Sequence, residues 1–406
     1  MTMKTQTNKW GSFLFLLCML LLTFCMLRYP QAAYEGAYNG IMTWVTHLLP
    51  ALLPFFIVAN LLISLGFVQF LGILLEPIMR PVFHLPGEAG FALALGFTTG
   101  FPMGAVLTAS LKEQNLCTDD EAARLAAFTN NSSPLFLLIA IPVSMLHTPE
   151  LGILLLSAHY GANLIIGILL RFAAVKTESR NSHTKQAIVA RATAQLKQHH
   201  VTAPLHIGTL LGHAIQKGLT SITTIGGFVL FFSVVLSLLQ ASGLFIILKS
   251  GFTIILQLLQ LPPQFSDALT AGFFEMTLGA QHSAQCETDL LSKLMVISFI
   301  LGWSGLSIQA QVCSILASQQ ISTRLYCLCR PVQGLLAAFF VPLLLNLCPW
   351  LLSTTTSTNF YTTIQTGFFT PTLIPLIFST IFLVVLLLLS GIFTLFHRAS
   401  YKKQKQ

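Results

Sequence analysis

Long runs of apolar residues dominate the hydrophobic pattern of the chain, and most of them match the length of a membrane-spanning helix. About 20 predominantly apolar residues are needed to cross a bilayer as an α-helix. Runs of this order lie at residues 13–27, 40–83, 151–171, 222–241, 244–261, 264–280, 290–317, 325–348 and 374–396. Because a helix satisfies its own backbone hydrogen bonds in hydrocarbon, the pattern predicts an all-α, polytopic membrane protein.

Helix-breaking and polar residues interrupt the apolar pattern between the second and third of these runs. Residues 96–105 read GFTTGFPMGA, and residues 128–136 read FTNNSSPLF. They are joined by an acidic turn, in which Thr118 and Glu121 form a capping box that predicts the start of a helix. Freed backbone groups are tolerated at membrane depth only where protein or a water-filled cavity satisfies them. The interruptions therefore predict a site rather than plain anchoring.

Composition and charge support the membrane class and indicate the topology. Of the 406 residues, 54% are apolar and 8% are charged, whereas a soluble domain carries about 25% charged residues. The net charge of +8 comes from basic residues before the first run, within residues 173–206 and after the last run. Since basic flanks remain in the cytoplasm, we expect both termini and this loop to be cytoplasmic.

Two alternatives bear on these basic segments. Topology alone accounts for their charge, so no nucleic-acid partner is predicted, and binding of anionic lipid is the less favoured alternative. The run at 13–27 resembles the apolar part of a cleavable signal peptide. An uncleaved first helix is the simpler interpretation, because many further spans follow.

The two interruptions recur later in the chain at an offset of close to 175 residues. Residues 96–99 (GFTT), followed by a Gly-Ala pair, align with residues 272–275 (GFFE), also followed by Gly-Ala. The break at 130–133 (NNSS) aligns with residues 302–309 (GWSGLSIQ). Interrupted segments at matching positions of two halves are the best sequence pointer to a transporter's binding site. We predict two inverted repeats, each with a re-entrant hairpin and a broken helix.

The repeat and the charge pattern together divide the chain into six parts. These are an N-terminal tail with the first transmembrane helix (1–34), a first repeat (35–172), a basic cytoplasmic loop (173–206), a second repeat (207–350), an outer Ser/Thr-rich loop (351–373), and a last transmembrane helix with a basic tail (374–406).

The breaks predict a binding site for an anionic or carbonyl-bearing ligand, because a broken helix presents free N–H groups and the positive end of its dipole. Helix–helix hydrogen bonding is the alternative role for the same polar residues. The predicted substrate-binding residues are Thr98, Thr99, Asn130, Asn131, Ser132, Ser133, Glu275, Thr277, Ser304, Ser307, Gln309 and Gln311.

Glu275 is the strongest functional candidate among these residues, because a carboxylate within a buried apolar run is costly unless it is paired or protonated. We expect it to handle substrate, a proton or a cation; a neutral glutamate bonded to a neighbouring helix is the alternative. Arg80, Arg124 and Arg330 are candidate charge partners for a substrate, although an arginine at a span end typically anchors topology and Arg80 can pair with Glu76. No metal or cofactor is predicted beyond a coupling proton or cation.

A set of motifs spread over residues 35–345 resembles the YlbJ (SpoVV) family of sporulation integral membrane proteins, which contains the nucleoside-recognition Gate domain. The motifs are LPALLPFF at 49–56, EPIMRP at 76–81, GFTTGFPMGA at 96–105, EAAR at 121–124, the break at 128–136, His159-Tyr160, and GWSGLSIQAQ at 302–311.

The resemblance implies a fold like that of concentrative nucleoside transporters, whose two re-entrant hairpins and two broken helices hold the substrate. It places the first hairpin at about 87–111 and its broken helix at 125–147, and the second hairpin at about 264–284 and its broken helix at 290–317. It also implies transport of dipicolinate, a small anionic aromatic substrate, from the mother cell across the outer forespore membrane.

Three other functions stay open at this point. A nucleoside or related metabolite is the alternative substrate. A non-transporting scaffold for spore-envelope assembly is the alternative class, and it predicts that Glu275→Gln and Asn130→Ala leave function intact. An enzyme is disfavoured because no Ser/His/Asp constellation, nucleophile elbow or phosphate loop is found. The partners expected are the lipid bilayer and the substrate, and homo-oligomer formation is left open.

Overall fold

The computed structural model describes residues 9–173, 192–193, 207–258 and 261–347, and every regular element in these ranges is helical. Most of the predicted 173–206 loop lies outside the described residues, as do the predicted outer loop and the last span at 374–396. The all-helical class predicted from the apolar runs is confirmed.

The first half contains eight α-helices and three π-helical segments. They are α1 (Lys9–Arg28), α2 (Pro30–Thr43), a π turn (Trp44–Leu48), α3 (Leu49–Ser64), α4 (Phe67–Ile78), a π turn (Met79–Phe83), α5 (Ala89–Thr99), α6 (Met103–Glu113), α7 (Asp119–Thr129), a π segment (Phe136–Met145) and α8 (Leu151–Leu170). A single 3₁₀ turn, Arg171–Ala173, follows α8.

The second half repeats this order of elements. It contains α9 (Ile207–Ala241), α10 (Leu244–Leu258), a 3₁₀ turn (Pro263–Phe265), α11 (Ser266–Phe274), α12 (Met276–Gln285), α13 (Leu290–Trp303), α14 (Gly305–Ser318) and α15 (Arg324–Leu347).

Two helical hairpins and two broken helices occupy matching positions in the halves. The first hairpin is α5–α6 and the second is α11–α12. The first broken helix is α7 with the π segment that follows it, and the second is α13–α14. Each broken helix leads into one long closing helix, α8 or α15. The predicted bounds of the second broken helix, 290–317, differ from those observed by a single residue, and the repeat predicted at an offset near 175 is evident in the order of elements.

Glycines explain why the two arms of each hairpin lie so close together. A Cβ on Gly279 of α12 would lie 2.7 Å from the backbone nitrogen of Gly272 in α11. In the first hairpin, a Cβ on Gly96 would lie 3.3 Å from the Cα of Gly104 and would also collide with the carbonyl oxygen of Thr129. The repeated Gly-x-x…Gly-Ala pattern thus reflects a close backbone crossing that is present in both hairpins.

Polar side chains cap the starts of both broken helices. Thr118 and Glu121 form the predicted capping box: the Thr118 hydroxyl accepts from Glu121 N, and the Glu121 carboxylate accepts from Thr118 N at 2.9 Å. At the matching position in the second half, Asp289 caps α13 by accepting from Ser292 N at 2.8 Å. A cap of this kind contributes about 1 kcal/mol to helix stability, and both caps lie just before a helix that breaks in the protein interior.

Within the described ranges, four helical segments are long and apolar enough to cross a membrane: Leu151–Ala173, Ile207–Ala241, Leu290–Ser318 and Arg324–Leu347. The third of these is the second broken helix, counted across its break. Near the N-terminus, the predicted first helix is followed by α2 at a bend of 105°. Helix α2 packs on α9, and Trp44, in the π turn that follows α2, donates from Nε1 to the Ile222 carbonyl at 2.9 Å.

The close hairpin crossing predicts a measurable cost for one methyl group. In Gly104→Ala, the new Cβ would lie 2.6 Å from the carbonyl carbon of Thr129, a backbone atom that cannot turn aside. We expect a loss of about 1–3 kcal/mol in the free energy of unfolding, measured by thermal unfolding of the detergent-purified protein. Gly251→Ala on α10 is the matched control, since no heavy atom lies within 4 Å of its Cβ. An equal loss in both variants would contradict the account.

Candidate functional site

The four interruptions predicted from the sequence meet in the interior of the protein. The tip of the first hairpin lies against the first break, because a Cβ on Gly100 would be 2.8 Å from the backbone nitrogen of Ser133. The first break reaches the second hairpin, where Ser132 Oγ lies 3.8 Å from Met276 Sδ. The second break packs on the same tip, since a Cβ on Gly305 would lie 3.1 Å from Met276 N. We call this region the four-break centre.

Asn130 joins the first hairpin to the first broken helix. Its Oδ1 accepts from Ala105 N at 2.9 Å, near the start of α6, and its Nδ2 donates to Ala126 O at 2.8 Å, near the end of α7. One fully buried amide therefore satisfies a donor at one helix start and an acceptor at another helix end. The N–H of Ala105, at the interruption in the first hairpin, is therefore already bonded within the protein.

The next residues of the first break are held by the closing helix α8. The amide of Asn163 donates to Asn131 Oδ1, and Ser132 N donates to His159 Nε2 at 3.2 Å. The Tyr160 hydroxyl lies within hydrogen-bonding reach of the Phe97 carbonyl and, at 3.1 Å, of the Ser132 carbonyl. Helix α8 thereby fastens the first break to the first hairpin.

Arg330 of α15, in the opposite half of the chain, donates hydrogen bonds to the first break. This side chain is fully buried, and its Nη1 donates to Asn130 O at 3.0 Å while its Nη2 donates to Ala127 O at 2.6 Å. Nη2 also lies 3.4 Å from Asn163 Oδ1. The guanidinium thus caps the negative C-terminal end of α7, and its carbon lies 4.8 Å from the centroid of the Tyr326 ring.

Glu275 occupies the tip of the second hairpin in an extended conformation, between α11 and α12. The sequence places it within a buried helical run; instead it is half-buried at a helix break. Its Oε2 accepts from Leu278 N at 2.8 Å. The carboxylate therefore caps α12 and itself supplies the negative charge that this helix start favours.

The second break is a left-handed turn at Ser304 and Gly305, with φ values of 68° and 76°. Trp303, just before it, donates from Nε1 to Phe273 O at 3.1 Å and stacks on the Phe273 ring at a centroid distance of 5.5 Å. Gln309 Nε2 donates to Trp303 O at 2.9 Å, which caps the end of α13. The second break is thus fastened to the second hairpin by side chains of its own half.

Most of the remaining predicted residues form hydrogen bonds within their own helix or turn. The hydroxyls of Thr98 and Thr99 donate to carbonyls of their own helix, to Ala94 O at 3.0 Å and Leu95 O at 2.6 Å. Gln311 Nε2 lies 3.4 Å from Ser307 Oγ, one turn away on α14. Thr277 lies half-buried in the first turn of α12. Ser133 Oγ accepts from Phe136 N at 3.3 Å, at the start of the π segment.

The three candidate arginines have different environments. Arg80 pairs with Glu76 at 2.9 Å, as the four-residue spacing predicts. Arg124 is buried, pairs with Asp120 at 2.8 Å, and donates to the carbonyls of Phe83 and His84.

Of the three candidate arginines, only Arg330 contacts the four-break centre. It lies in the second turn of α15, fully buried and bonded to the first break, as a charge partner that points inward would be.

Sequence reasoning missed Gln333, which lies one turn after Arg330. It is fully buried, and its Nε2 lies 3.4 Å from His159 Nε2. A polar pair at positions i and i+3 of an apolar helix was the available signal, because it places an arginine and a glutamine on one helix face. His159 and Asn163, four residues apart on α8, carry the same signal in the first half.

This architecture defines a class of protein: a helical, multi-pass membrane protein whose two similar halves enclose a buried polar centre. The family model for the Gate domain, described as nucleoside recognition, matches residues 45–149. This range contains the whole first hairpin and both parts of the first broken helix.

The chain belongs to the YlbJ family of sporulation integral membrane proteins. It is 42% identical over 336 residues to the sporulation integral membrane protein YlbJ of Bacillus subtilis, a match that covers 80% of each protein. An uncharacterised protein of Alkalihalophilus pseudofirmus is 32% identical over 109 residues, or 26% of this chain and 23% of that protein. No solved structure matches the chain.

Tyr160 gives the most direct test of how the first half of the centre is held. Tyr160→Phe removes the hydroxyl near the carbonyls of Phe97 and Ser132. We expect a loss of about 1–3 kcal/mol in the free energy of unfolding, because buried acceptors lose a donor. Thermal unfolding measures the loss, with the exposed Tyr34→Phe as the control. Identical stability of the two variants would show that these hydrogen bonds do not hold the break.

Proposed function

We propose that this protein is a membrane transporter that moves dipicolinate, pyridine-2,6-dicarboxylate, across the outer forespore membrane during sporulation. The observation that carries the transport proposal is the meeting of four helix breaks in one buried centre. Breaks at membrane depth cost hydrogen bonds in each helix and are tolerated where they line a site. Ordinary helix packing would not need two helical hairpins whose tips meet at the four-break centre.

The choice of substrate rests on the family and is supported by the charges of the centre. Membership of a sporulation family, together with the resemblance described above, favours a solute of the developing spore. The guanidinium of Arg330, which belongs to the second half of the chain, contacts the first break, which suits an anion. Trp303 and Phe273 in the second half form an aromatic stack beside the other break, which suits a planar ring.

Glu275 fits a role in coupling. Its carboxylate lies at the tip of the second hairpin, beside Met276, which contacts Ser132 of the first break. A dianion that enters a centre already containing a carboxylate is favoured if a proton or cation enters with it. We infer that transport is coupled to such an ion, that the substrate is moved without chemical change, and that the protein resides in the cell membrane with both termini in the cytoplasm.

A nucleoside is the second candidate substrate, and one observation favours it. The Gate model that matches residues 45–149 is described as nucleoside recognition. Neutral donors and acceptors of the first break, such as Asn131 and Ser132, are the groups that would bind a base or ribose. The two candidates differ in charge, so competition experiments separate them.

Uptake into liposomes tests the proposed function. We expect purified protein to give saturable uptake of labelled dipicolinate, inhibited by unlabelled dipicolinate and not by nucleosides, under an imposed proton or cation gradient. Protein-free liposomes are the control. Inhibition by nucleosides alone would favour the second candidate, and absence of any saturable uptake would contradict transport.

Glu275→Gln provides the matched variant for the same assay. The glutamine oxygen can still accept from Leu278 N, so the α12 cap is kept while the charge is removed. We expect uptake to lose its response to the ion gradient, while thermal stability stays close to that of the parent protein. Unchanged gradient-driven uptake would show that the carboxylate has no part in coupling. A protein that acts only as a scaffold would complement spore formation with either residue.

A further inference from the structure

We propose that Arg330 and His159 form a carboxylate-binding site beside the first break, where one carboxylate of an aromatic dicarboxylate binds, and that Gln333 positions the His159 ring. The inference rests on the proposed transport function and names the residues that would recognise its substrate. It is carried by the contact of Gln333 with His159, by the contact of Arg330 with Asn163 on the same helix as His159, and by the polar atoms that these fully buried side chains leave unbonded.

The charge of Arg330 is not balanced by an acidic side chain. No Asp or Glu in the part of the chain that the structure describes forms an ion pair with it. Arginine remains protonated in proteins, and a buried charge is costly unless it is paired. The C-terminal carbonyls of α7 stabilise it in part, but they carry only partial charge. A bound carboxylate would provide the full opposite charge.

The guanidinium also retains a donor. Its Nη groups are bonded to Asn130 O, Ala127 O and Asn163 Oδ1. The buried Nε has no hydrogen-bond partner among the described residues. Because the five donors of a guanidinium form a rigid planar fork, rotation of the side chain cannot satisfy Nε without breaking the bonds of the Nη groups.

His159 of α8 presents a second unbonded donor. Ser132 N donates to His159 Nε2, so Nε2 acts as the acceptor of a neutral ring and the proton lies on Nδ1. This buried Nδ1 likewise has no partner within the described ranges. His159 is linked to the arginine through α8, because Asn163, one turn later, contacts Arg330 Nη2.

Gln333 connects the two halves of the cluster. Its Nε2 lies 3.4 Å from His159 Nε2, and its Oε1 is buried without a partner in the described part of the protein. Arg330 and Gln333 share a face of α15, while His159 and Asn163 share a face of α8. Two donors and one acceptor therefore remain unbonded in one cluster, where these closing helices meet.

A carboxylate is the ligand group that satisfies the two unbonded donors, Arg330 Nε and His159 Nδ1, best. It accepts hydrogen bonds only, has two oxygens, and makes its strongest bonds to charged donors such as arginine. A nucleoside carries no group of this charge. The second carboxylate and the ring of a dicarboxylate would then lie toward the four-break centre, to which the cluster is joined by the bond from Ser132.

Two variants separate ligand recognition from helix capping. Arg330→Lys keeps a positive charge for the α7 carbonyls but loses the planar fork. His159→Gln keeps an acceptor for Ser132 N but removes the Nδ1 donor. Arg124→Lys is the matched control, since Arg124 is also a buried arginine bonded to backbone carbonyls, but it has its own carboxylate partner, Asp120.

The test measures Kd of the purified full-length protein for pyridine-2,6-dicarboxylate and for the uncharged pyridine-2,6-dicarboxamide. We expect Arg330→Lys and His159→Gln each to weaken dicarboxylate binding by about ten- to a hundredfold and to leave diamide binding within about twofold of the parent protein. Arg124→Lys should lower the thermal stability without changing the ratio of the two Kd values.

Each result supports or overturns the site. A selective loss of dicarboxylate binding in both variants supports it. An equal loss for both ligands, or no loss for either, overturns it and assigns Arg330 to capping alone. If Arg330→Lys fails to fold, His159→Gln, which leaves the arginine in place, decides by the same criterion. Failure of the parent protein to bind any pyridine carboxylate would instead reject the proposed substrate, and this site with it.

Discussion

A helix that stops inside a membrane must find new partners for the backbone groups that its end exposes, because hydrocarbon offers none. This protein meets that constraint by letting its interruptions satisfy one another. The amide of Asn130 bonds to the start of α6 and the end of α7, Gln309 bonds to the end of α13, and Glu275 caps the start of α12. Side chains at the breaks therefore satisfy backbone groups at the helix ends, and Asn130 joins two of the interruptions directly.

The two halves meet the same constraint with different charges. The first half uses neutral amides and, from α15, the guanidinium of Arg330; the second half uses the carboxylate of Glu275. A guanidinium therefore contacts the first break and a carboxylate lies at the second hairpin, although the order of helices is repeated. A transporter for an anion that moves together with a proton or cation needs such a division, because the two ions must be bound close together without sharing their ligands.

Much of the fold follows from local sequence patterns, whereas much of the candidate site does not. The hairpin glycines, the capping box at Thr118 and the break at 130–133 each reflect a requirement of nearby backbone, so their positions could be predicted. Arg330 bonds to Asn130, a residue 200 positions earlier, and no local pattern in α15 indicates that partner. Thr98 and Thr99 show the converse, since polar residues predicted at the site direct their hydroxyls to their own helix.

The central claim is that the four breaks form one binding centre, and hydrogen–deuterium exchange with and without dipicolinate tests it most directly. Exchange is measured on the full-length protein in nanodiscs, for peptides that cover residues 96–105, 128–136, 272–279 and 302–309. The account predicts that dipicolinate slows exchange in all four segments together, while the exposed start of α9 is unchanged. Protection confined to one half, or absent from all four while dipicolinate is bound, would contradict it.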